Sequence, residues 1–178
     1  MGYHSLARAG VEGLLPLLHP GSFSSRARDC FFLLAFRGTF DYSLDAKNRL
    51  TVPAKFRAAL SDGLVLAKGL ERCVELWRPG DYESFSGEAV AGFHRVSPQG
   101  RKLRSFFAAN SLDAELDAAG RVGVPPFLIE HAGLGKEVVV VGAEDCLQVW
   151  DRNRWAEYNA ALTDEIAEIT AQLGQHAA

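Results

Sequence analysis

Two short motifs place an acidic side chain four residues before a basic one. Asp45 precedes Arg49 in the first motif, and Asp117 precedes Arg121 in the second. An arginine guanidinium offers a planar set of donors that fits a phosphate group or the O6 and N7 edge of a guanine. The same spacing is also typical of an ion pair that only stabilises a turn. The sequence leaves both interpretations open.

The residues inside these motifs predict tight turns. Asn48 and Gly120 immediately precede the two arginines, and asparagine and glycine are the residues that most readily adopt a positive φ. We therefore expect a left-handed residue at both positions. Asp45 and Asp117 are expected to accept hydrogen bonds from backbone N–H groups of their own turns, because a carboxylate pointed at a polyanion would be repelled. These four residues are predicted to organise the turns.

Both motifs lie in a tandem repeat. The segment 40–56 (FDYSLDAKNRLTVPAKF) overlays 112–128 (LDAELDAAGRVGVPPFL) at an offset of 72 residues, and 64–77 matches 137–150 after a slip of one residue. The alternation of apolar and polar residues predicts a hairpin around each turn, then a short helix and a second hairpin. One unit buries too little surface to be stable alone, so the two are expected to share a core. The predicted fold is mainly β with short helices, as one pseudo-twofold β-barrel.

The repeats set the predicted domain boundaries. Residues 36–92 form the first repeat, 93–110 a helical connection, and 111–174 the second repeat with a C-terminal helix. That last helix carries an apolar stripe, so we expect it to pack on the barrel or on a neighbouring subunit. Residues 1–35 belong to neither unit and show no sustained periodicity. They are predicted to be a disordered N-terminal extension.

The charged residues are divided unevenly along the chain. Residues 1–110 hold fifteen Lys and Arg against ten Asp and Glu, whereas 111–178 hold four against twelve, and the overall net charge is −3. A duplex carries one phosphate charge per about 1.7 Å, so clustered cations on a turn can recruit DNA even when the whole chain is acidic. The first turn contains Lys47 where the second has Ala119, and is the better predicted contact. The candidate DNA contacts are Lys47, Arg49, Arg37 and Arg121.

Several function classes lack the residues that they need. The five histidines never fall four residues apart, and the three cysteines lie far from one another, so neither a zinc site nor a disulfide framework is expected. The sequence contains no phosphate-binding glycine loop and no nucleophile elbow. No stretch approaches the roughly 20 apolar residues of a membrane span. We therefore expect no enzyme activity, metal, cofactor, small-molecule substrate or membrane partner.

The chain resembles the MraZ family of bacterial transcriptional regulators, within the AbrB-like superfamily. The strings that carry this resemblance are FRGTFDYSLDAKNRLTVPAKFR at 36–57, DAAGRVGVP at 117–125 and CLQVWDRNRWAEY at 146–158. It covers residues 36 to about 170. The first 34 residues have no counterpart in the family pattern, and Asn48 stands where the family commonly has glycine.

The resemblance implies a double-split β-barrel with swapped-hairpin topology and a ring-shaped homo-oligomer. It also implies a sequence-specific regulator, cytoplasmic and associated with the nucleoid. This regulator would bind double-stranded DNA at direct repeats in the promoter of the division and cell-wall gene cluster, with Lys47 and Arg49 as DNA contacts. The alternative is an antitoxin-like or other protein-interaction barrel without specific DNA readout. A partner-binding tail is expected to be long and flexible, whereas the predicted C-terminal helix is short and amphipathic, which favours the regulator.

Overall fold

The structure is a computed structural model that describes residues 35–176. The predicted extension, apart from Ala35, lies outside the described residues, as do the side chains at 164 and 167–176. The strands are β1 (Phe36–Ser43), β2 (Arg49–Thr51), β3 (Leu64–Lys68), β4 (Val74–Trp77), β5 (Ser111–Ala114), β6 (Arg121–Gly123), β7 (Glu137–Glu144) and β8 (Cys146–Asp151). The helices are α1 (Ala54–Arg57, continued by a 3-10 turn at Ala58–Leu60), α2 (Pro79–Ala91), α3 (Pro98–Ala109), α4 (Pro126–Ala132) and α5 (Arg152–His176).

The strands form two antiparallel sheets. Six of them follow the order β1-β7-β8-β4-β3-β5, and β2 pairs with β6 in a separate two-stranded sheet. β1, β3 and β4 of the first repeat correspond to β5, β7 and β8 of the second. The six-strand order is therefore symmetric about its centre, which matches the duplication in the sequence. The prediction of a mainly β fold with short helices is confirmed. Among the described residues the six-stranded ladder ends at β1 and β5 and does not close on itself.

The predicted second hairpin of each repeat is present, as β3 with β4 and β7 with β8. The hairpin predicted around each turn is wrong in its pairing. An isolated bridge links Leu44, the residue after β1, to Leu50 of β2. β1 forms its full ladder with β7, and β2 pairs with β6. The physical reason is burial: pairing β2 with β6 sets Leu50 opposite Val122, and both are at most 1% exposed.

The main core lies between the inner face of the six-stranded sheet and the two-stranded sheet. Side chains from both repeats enter it, including Leu66 and Val140 from the large sheet and Val52 and Val124 next to the small one. Burying apolar surface from both units in one cluster is the dominant stabilising contribution to such a fold. Both repeats contribute to this cluster, so neither repeat forms it alone.

The opposite face of the large sheet is covered by helices. Trp77 stacks on Phe85 of α2 with ring centroids 4.8 Å apart, and Trp150 stacks on Tyr158 of α5 at 4.6 Å. The predicted C-terminal helix is therefore present and begins by packing on the sheet. Further along α5, Ile166 remains 51% exposed. No helix within residues 35–176 is long and apolar enough to cross a membrane.

Candidate nucleic-acid interface

The first turn is closed by hydrogen bonds to Asp45. Its Oδ1 accepts from the backbone N–H of Lys47 at 2.8 Å and of Arg49 at 2.9 Å. The backbone N–H of Asp45 donates to the carbonyl of Arg49 at 3.0 Å, and that of Asn48 donates to the carbonyl of Asp45 at 2.9 Å. Asn48 has a φ of 55°, so the predicted left-handed conformation is observed.

The second turn repeats this geometry. Asp117 Oδ1 accepts from the backbone N–H of Ala119 at 2.9 Å and of Arg121 at 3.0 Å. The Asp117 N–H donates to the carbonyl of Arg121 at 2.8 Å, and Gly120 has a φ of 73°. The two motifs therefore encode the same turn, and each aspartate occupies one carboxylate oxygen in fixing it.

The second carboxylate oxygen of each aspartate holds an arginine. Arg49 Nε donates to Asp45 Oδ2 at 2.7 Å, and Arg121 Nε donates to Asp117 Oδ2 at 2.9 Å. The pairs also face each other: Arg49 Nη1 lies 3.7 Å from Asp117 Oδ2, and Arg121 Nη1 lies 3.9 Å from Asp45 Oδ2. We call these four residues the Asp–Arg quartet. Each of its side chains is about one-third exposed.

Backbone hydrogen bonds between the repeats bring the two turns together. The N–H of Val52 donates to the carbonyl of Gly120 at 3.0 Å, and the N–H of Val124 donates to the carbonyl of Asn48 at 2.9 Å. Asn48 and Gly120, the residues with positive φ in the two turns, therefore each accept a hydrogen bond from the residue that follows the strand after the other turn. Spacing along the sequence gave no indication of this contact, because the two motifs are 72 residues apart.

The pKa of each aspartate in the quartet is depressed. The pKa of Asp45 is lowered to about 2, and the largest cause is the hydrogen bond from the backbone N–H of Arg49. The Arg121 side chain lowers the pKa of Asp117, and the same hydrogen bond raises the pKa of Arg121. Both carboxylates are therefore ionised at neutral pH and pair with permanently charged guanidiniums.

The cations predicted from sequence lie in different surroundings. Lys47 is exposed. No carboxylate whose side chain the structure describes lies within 4.0 Å of its ammonium group. Arg37 forms a two-pronged ion pair with Glu144, with both N–O distances at 2.9 Å. Arg37 is the second residue of β1, whereas the first turn follows the end of that strand. About 20 Å of extended strand lies between them. The structure thus groups Lys47, Arg49 and Arg121, but not Arg37.

One cation near the quartet, Arg57, lies outside both Asp–Arg motifs. Arg57, at the end of α1, donates from Nε to the carbonyl of Val52 at 2.9 Å. Its guanidinium also lies over the second turn, since a Cβ added to Gly120 would be 2.4 Å from Arg57 Nε. The only sequence signal for it is the basic composition around the first motif.

No group of three or more His, Cys, Asp or Glu side chains is placed to hold a metal ion in the part of the chain that the structure describes. Cys73 and Cys146 are buried and unpaired, and burial raises the pKa of both thiols. A thiol with a raised pKa is a poor nucleophile at neutral pH.

Comparison with known proteins identifies relatives over nearly all of the described chain. The family model described as "MraZ protein, putative antitoxin-like" matches residues 35–99 and 107–175. A protein named Transcriptional regulator MraZ from Symbiobacterium thermophilum is 35% identical over 137 residues, covering 77% of this chain and 99% of the relative. Proteins of that name are 34% identical in Clostridium acetobutylicum (78% of this chain, 99% of the relative) and 41% identical in Corynebacterium urealyticum (74% and 92%).

The conformation of the first turn leads to a prediction for Asn48. We expect Asn48→Val to lower the free energy of unfolding by about 1–3 kcal/mol, because a β-branched residue is strained at positive φ. Asn48→Gly should stay within about 0.5 kcal/mol of the wild type. Urea unfolding followed by circular dichroism measures both. Lys47→Val is the matched control, since Lys47 is exposed and lacks a positive φ; equal losses at 47 and 48 would contradict the proposed strain.

The depressed pKa values of Asp45 and Asp117 lead to a prediction for pH. A carboxyl whose pKa is lower in the folded than in the unfolded chain stabilises the fold above its unfolded pKa of about 3.9, and this stabilisation is lost as the pH falls. We expect the free energy of unfolding to fall between about pH 4 and pH 2, and to fall less steeply in an Asp45→Asn, Asp117→Asn double variant. Urea titrations across this range measure the slope. Glu88→Gln, at an exposed position of α2 outside both turns, is the matched control for a carboxylate-to-amide change; an unchanged slope in the Asp45→Asn, Asp117→Asn variant would refute the assignment.

Proposed function

The chain belongs to the MraZ family of transcriptional regulators, and we propose that it regulates transcription by binding double-stranded DNA through its first turn. The observation that carries this proposal is Lys47, an exposed cation on a turn whose backbone is fixed by Asp45 and Asn48. A fixed turn presents its side chains without a large cost in conformational entropy on binding.

The charges around the turns support this assignment. The two arginines and two aspartates of the Asp–Arg quartet cancel in formal charge, so the quartet by itself does not attract a polyanion. Lys47 adds a positive charge beside it, without a carboxylate partner among the described side chains. The matched residue of the second turn is Ala119. The first turn is therefore the more favourable place for a DNA phosphate.

Arg49 can serve both in the quartet and in DNA binding. A guanidinium has five N–H donors, and its bonds to Asp45 use the Nε and Nη2 groups. The remaining donors suit a phosphate or the edge of a guanine. We assign Arg49 to base or phosphate recognition, Lys47 to phosphate, and Arg121 to a weaker contact of the same kind. Asp45, Asn48, Asp117 and Gly120 hold the turns in shape, and Arg37 is proposed as an outlying phosphate contact.

The finer description of the fold is also a proposal. We assign the chain to the swapped-hairpin, double-split barrels, with repeats at 36–92 and 111–174, a connection at 93–110 and an extension at 1–35. The symmetric strand order and the exchange of strands between repeats support this assignment. The two segments matched by the family model, 35–99 and 107–175, support the division into repeats.

We propose further that several subunits assemble into a ring that binds direct repeats in the promoter of the division and cell-wall gene cluster. The match to the MraZ family over residues 35–99 and 107–175 supports this proposal. A regulator of this kind acts in the cytoplasm at the nucleoid, and it needs no catalytic site. The antitoxin-like alternative would leave the charge on the first turn without a role in DNA binding.

The first test of this function is a pair of single substitutions. Lys47→Ala should weaken binding to promoter DNA and to unrelated DNA alike, because it removes a phosphate contact. The slope of log affinity against log salt concentration should become shallower by about one for each subunit bound to the DNA. Arg49→Ala should reduce the preference for the promoter by about tenfold or more, because a bidentate contact discriminates between bases. Fluorescence anisotropy at several salt concentrations measures both effects.

The control for these variants is Lys102→Ala, which removes an exposed cation from α3. This helix packs with α2 on the face of the large sheet that points away from the two turns. It should leave both affinities near those of the wild type. Thermal melts of all variants establish folding. A folded Lys47→Ala, Arg49→Ala double variant with wild-type affinity for the promoter would reject DNA binding by this turn and favour the protein-interaction alternative.

A second test addresses the assembly. If each subunit of a ring binds one direct repeat, weak contacts combine through effective concentration. DNA with two or three correctly spaced repeats should then bind much more tightly than DNA with one. Light scattering gives the mass of the free protein. A monomer in scattering, or equal affinity for one and three repeats, would leave only single-site binding.

A further inference from the structure

We propose that Arg57 is the phosphate-binding cation of the second turn, where it replaces a lysine that the second motif lacks. The inference rests on the proposed function, because it concerns the same DNA-binding surface. It assigns a role to a residue outside both Asp–Arg motifs. It also makes the surface a composite in which the first repeat supplies, beside each turn, the one cation beyond those of the Asp–Arg quartet.

The position of Arg57 carries the argument. Its Nε would lie 2.4 Å from a Cβ at Gly120, and its Cδ and Cζ would lie 2.6 and 2.7 Å away. The side chain therefore packs directly on the residue with positive φ in the second turn. Only a glycine leaves room for it there, since any side chain at this position would displace the guanidinium. Asn48, the matched residue of the first turn, shows that positive φ alone does not require glycine.

The two turns differ in how each obtains its cation. In the first, Lys47 is part of the turn itself, and the residue that matches Arg57 in the second repeat is the apolar Ile129. In the second turn Ala119 replaces the lysine, and Arg57 of the other repeat lies over Gly120. One positive charge beyond the neutral quartet is thus present beside each turn, although the sequence motifs suggest that only the first has one.

The hydrogen bonding of Arg57 leaves its charge available. Its Nε bond goes to the carbonyl of Val52, which is a neutral acceptor. No carboxylate described in residues 35–176 forms an ion pair with it. The residue is partly exposed. The bond to Val52 therefore positions the guanidinium over the turn and leaves its Nη groups to bind a phosphate.

The principal test is Arg57→Gln in the full chain, alone and combined with Ala119→Lys. Arg57→Gln removes the charge and should weaken binding to promoter and unrelated DNA alike, by about threefold to tenfold, with a lower salt slope. Adding Ala119→Lys places a cation on the second turn in the position that Lys47 has in the first. It should restore both the affinity and the slope. Fluorescence anisotropy at several salt concentrations gives these values.

Two further variants keep the test independent of how well Arg57→Gln folds. Ala119 is exposed, so it tolerates substitution. Ala119→Glu should weaken DNA binding in the presence of Arg57, and Ala119→Lys alone should strengthen it. Unchanged affinity in both would show that the second turn does not face DNA and would overturn the proposal.

The outcomes also separate this inference from the proposed function. If the wild type does not bind promoter DNA, the proposed function fails. If Lys47→Ala weakens binding while Arg57→Gln, folded by thermal melt, binds like the wild type, only the role of Arg57 fails. A loss in Arg57→Gln that Ala119→Lys does not restore would assign Arg57 to structure alone and would likewise overturn the inference.

Discussion

The site depends on the antiparallel pairing of β2 with β6. These strands have three residues each, yet their pairing is what places two distant Asp–Arg motifs side by side. Leu50 and Val122 face each other at the centre of the pair and are almost fully buried. Burial of apolar surface therefore holds the pair together. Without it, each motif would be an isolated ion pair on the surface of its own repeat.

A structural ion pair and a ligand contact are not exclusive roles for the same arginine. In the Asp–Arg quartet the aspartates orient the guanidiniums and satisfy part of their donors, as outer partners orient groups in other binding sites. An ion pair at a partly exposed site contributes only modestly to the free energy of unfolding. Their main consequence is geometric: two permanently charged, planar groups are held close together at the surface, and cations outside the quartet determine the net charge.

The two repeats have kept their geometry and diverged in charge. Hydrogen bonds to Asp45 and Asp117 require the same backbone in both turns, but exposed positions such as 47 and 119 are not constrained in that way. The repeats also differ in charge at a buried position of the sheet, where Glu75 lies opposite its counterpart Gln148. Trp77 Nε1 donates to Glu75 and Trp150 Nε1 to Gln148, at 3.0 and 3.1 Å. Burial raises the pKa of Glu75, and the neutral amide opposite means that only one of the two matched groups can ionise.

The sequence by itself determined the duplication, the two turns with their residues of positive φ, the hairpins β3–β4 and β7–β8, and the helices. These features follow from propensities, hydrogen bonds and periodicity among residues close together in the chain. Only the tertiary structure decided that β1 and β2 pair with the other repeat, that the two motifs form one quartet, that Arg57 lies over Gly120, and that Arg37 lies apart. Those contacts join segments distant in sequence and are selected by which strand pairings bury the most apolar surface. Local patterning does not specify that choice, because either repeat offers strands of the same alternation.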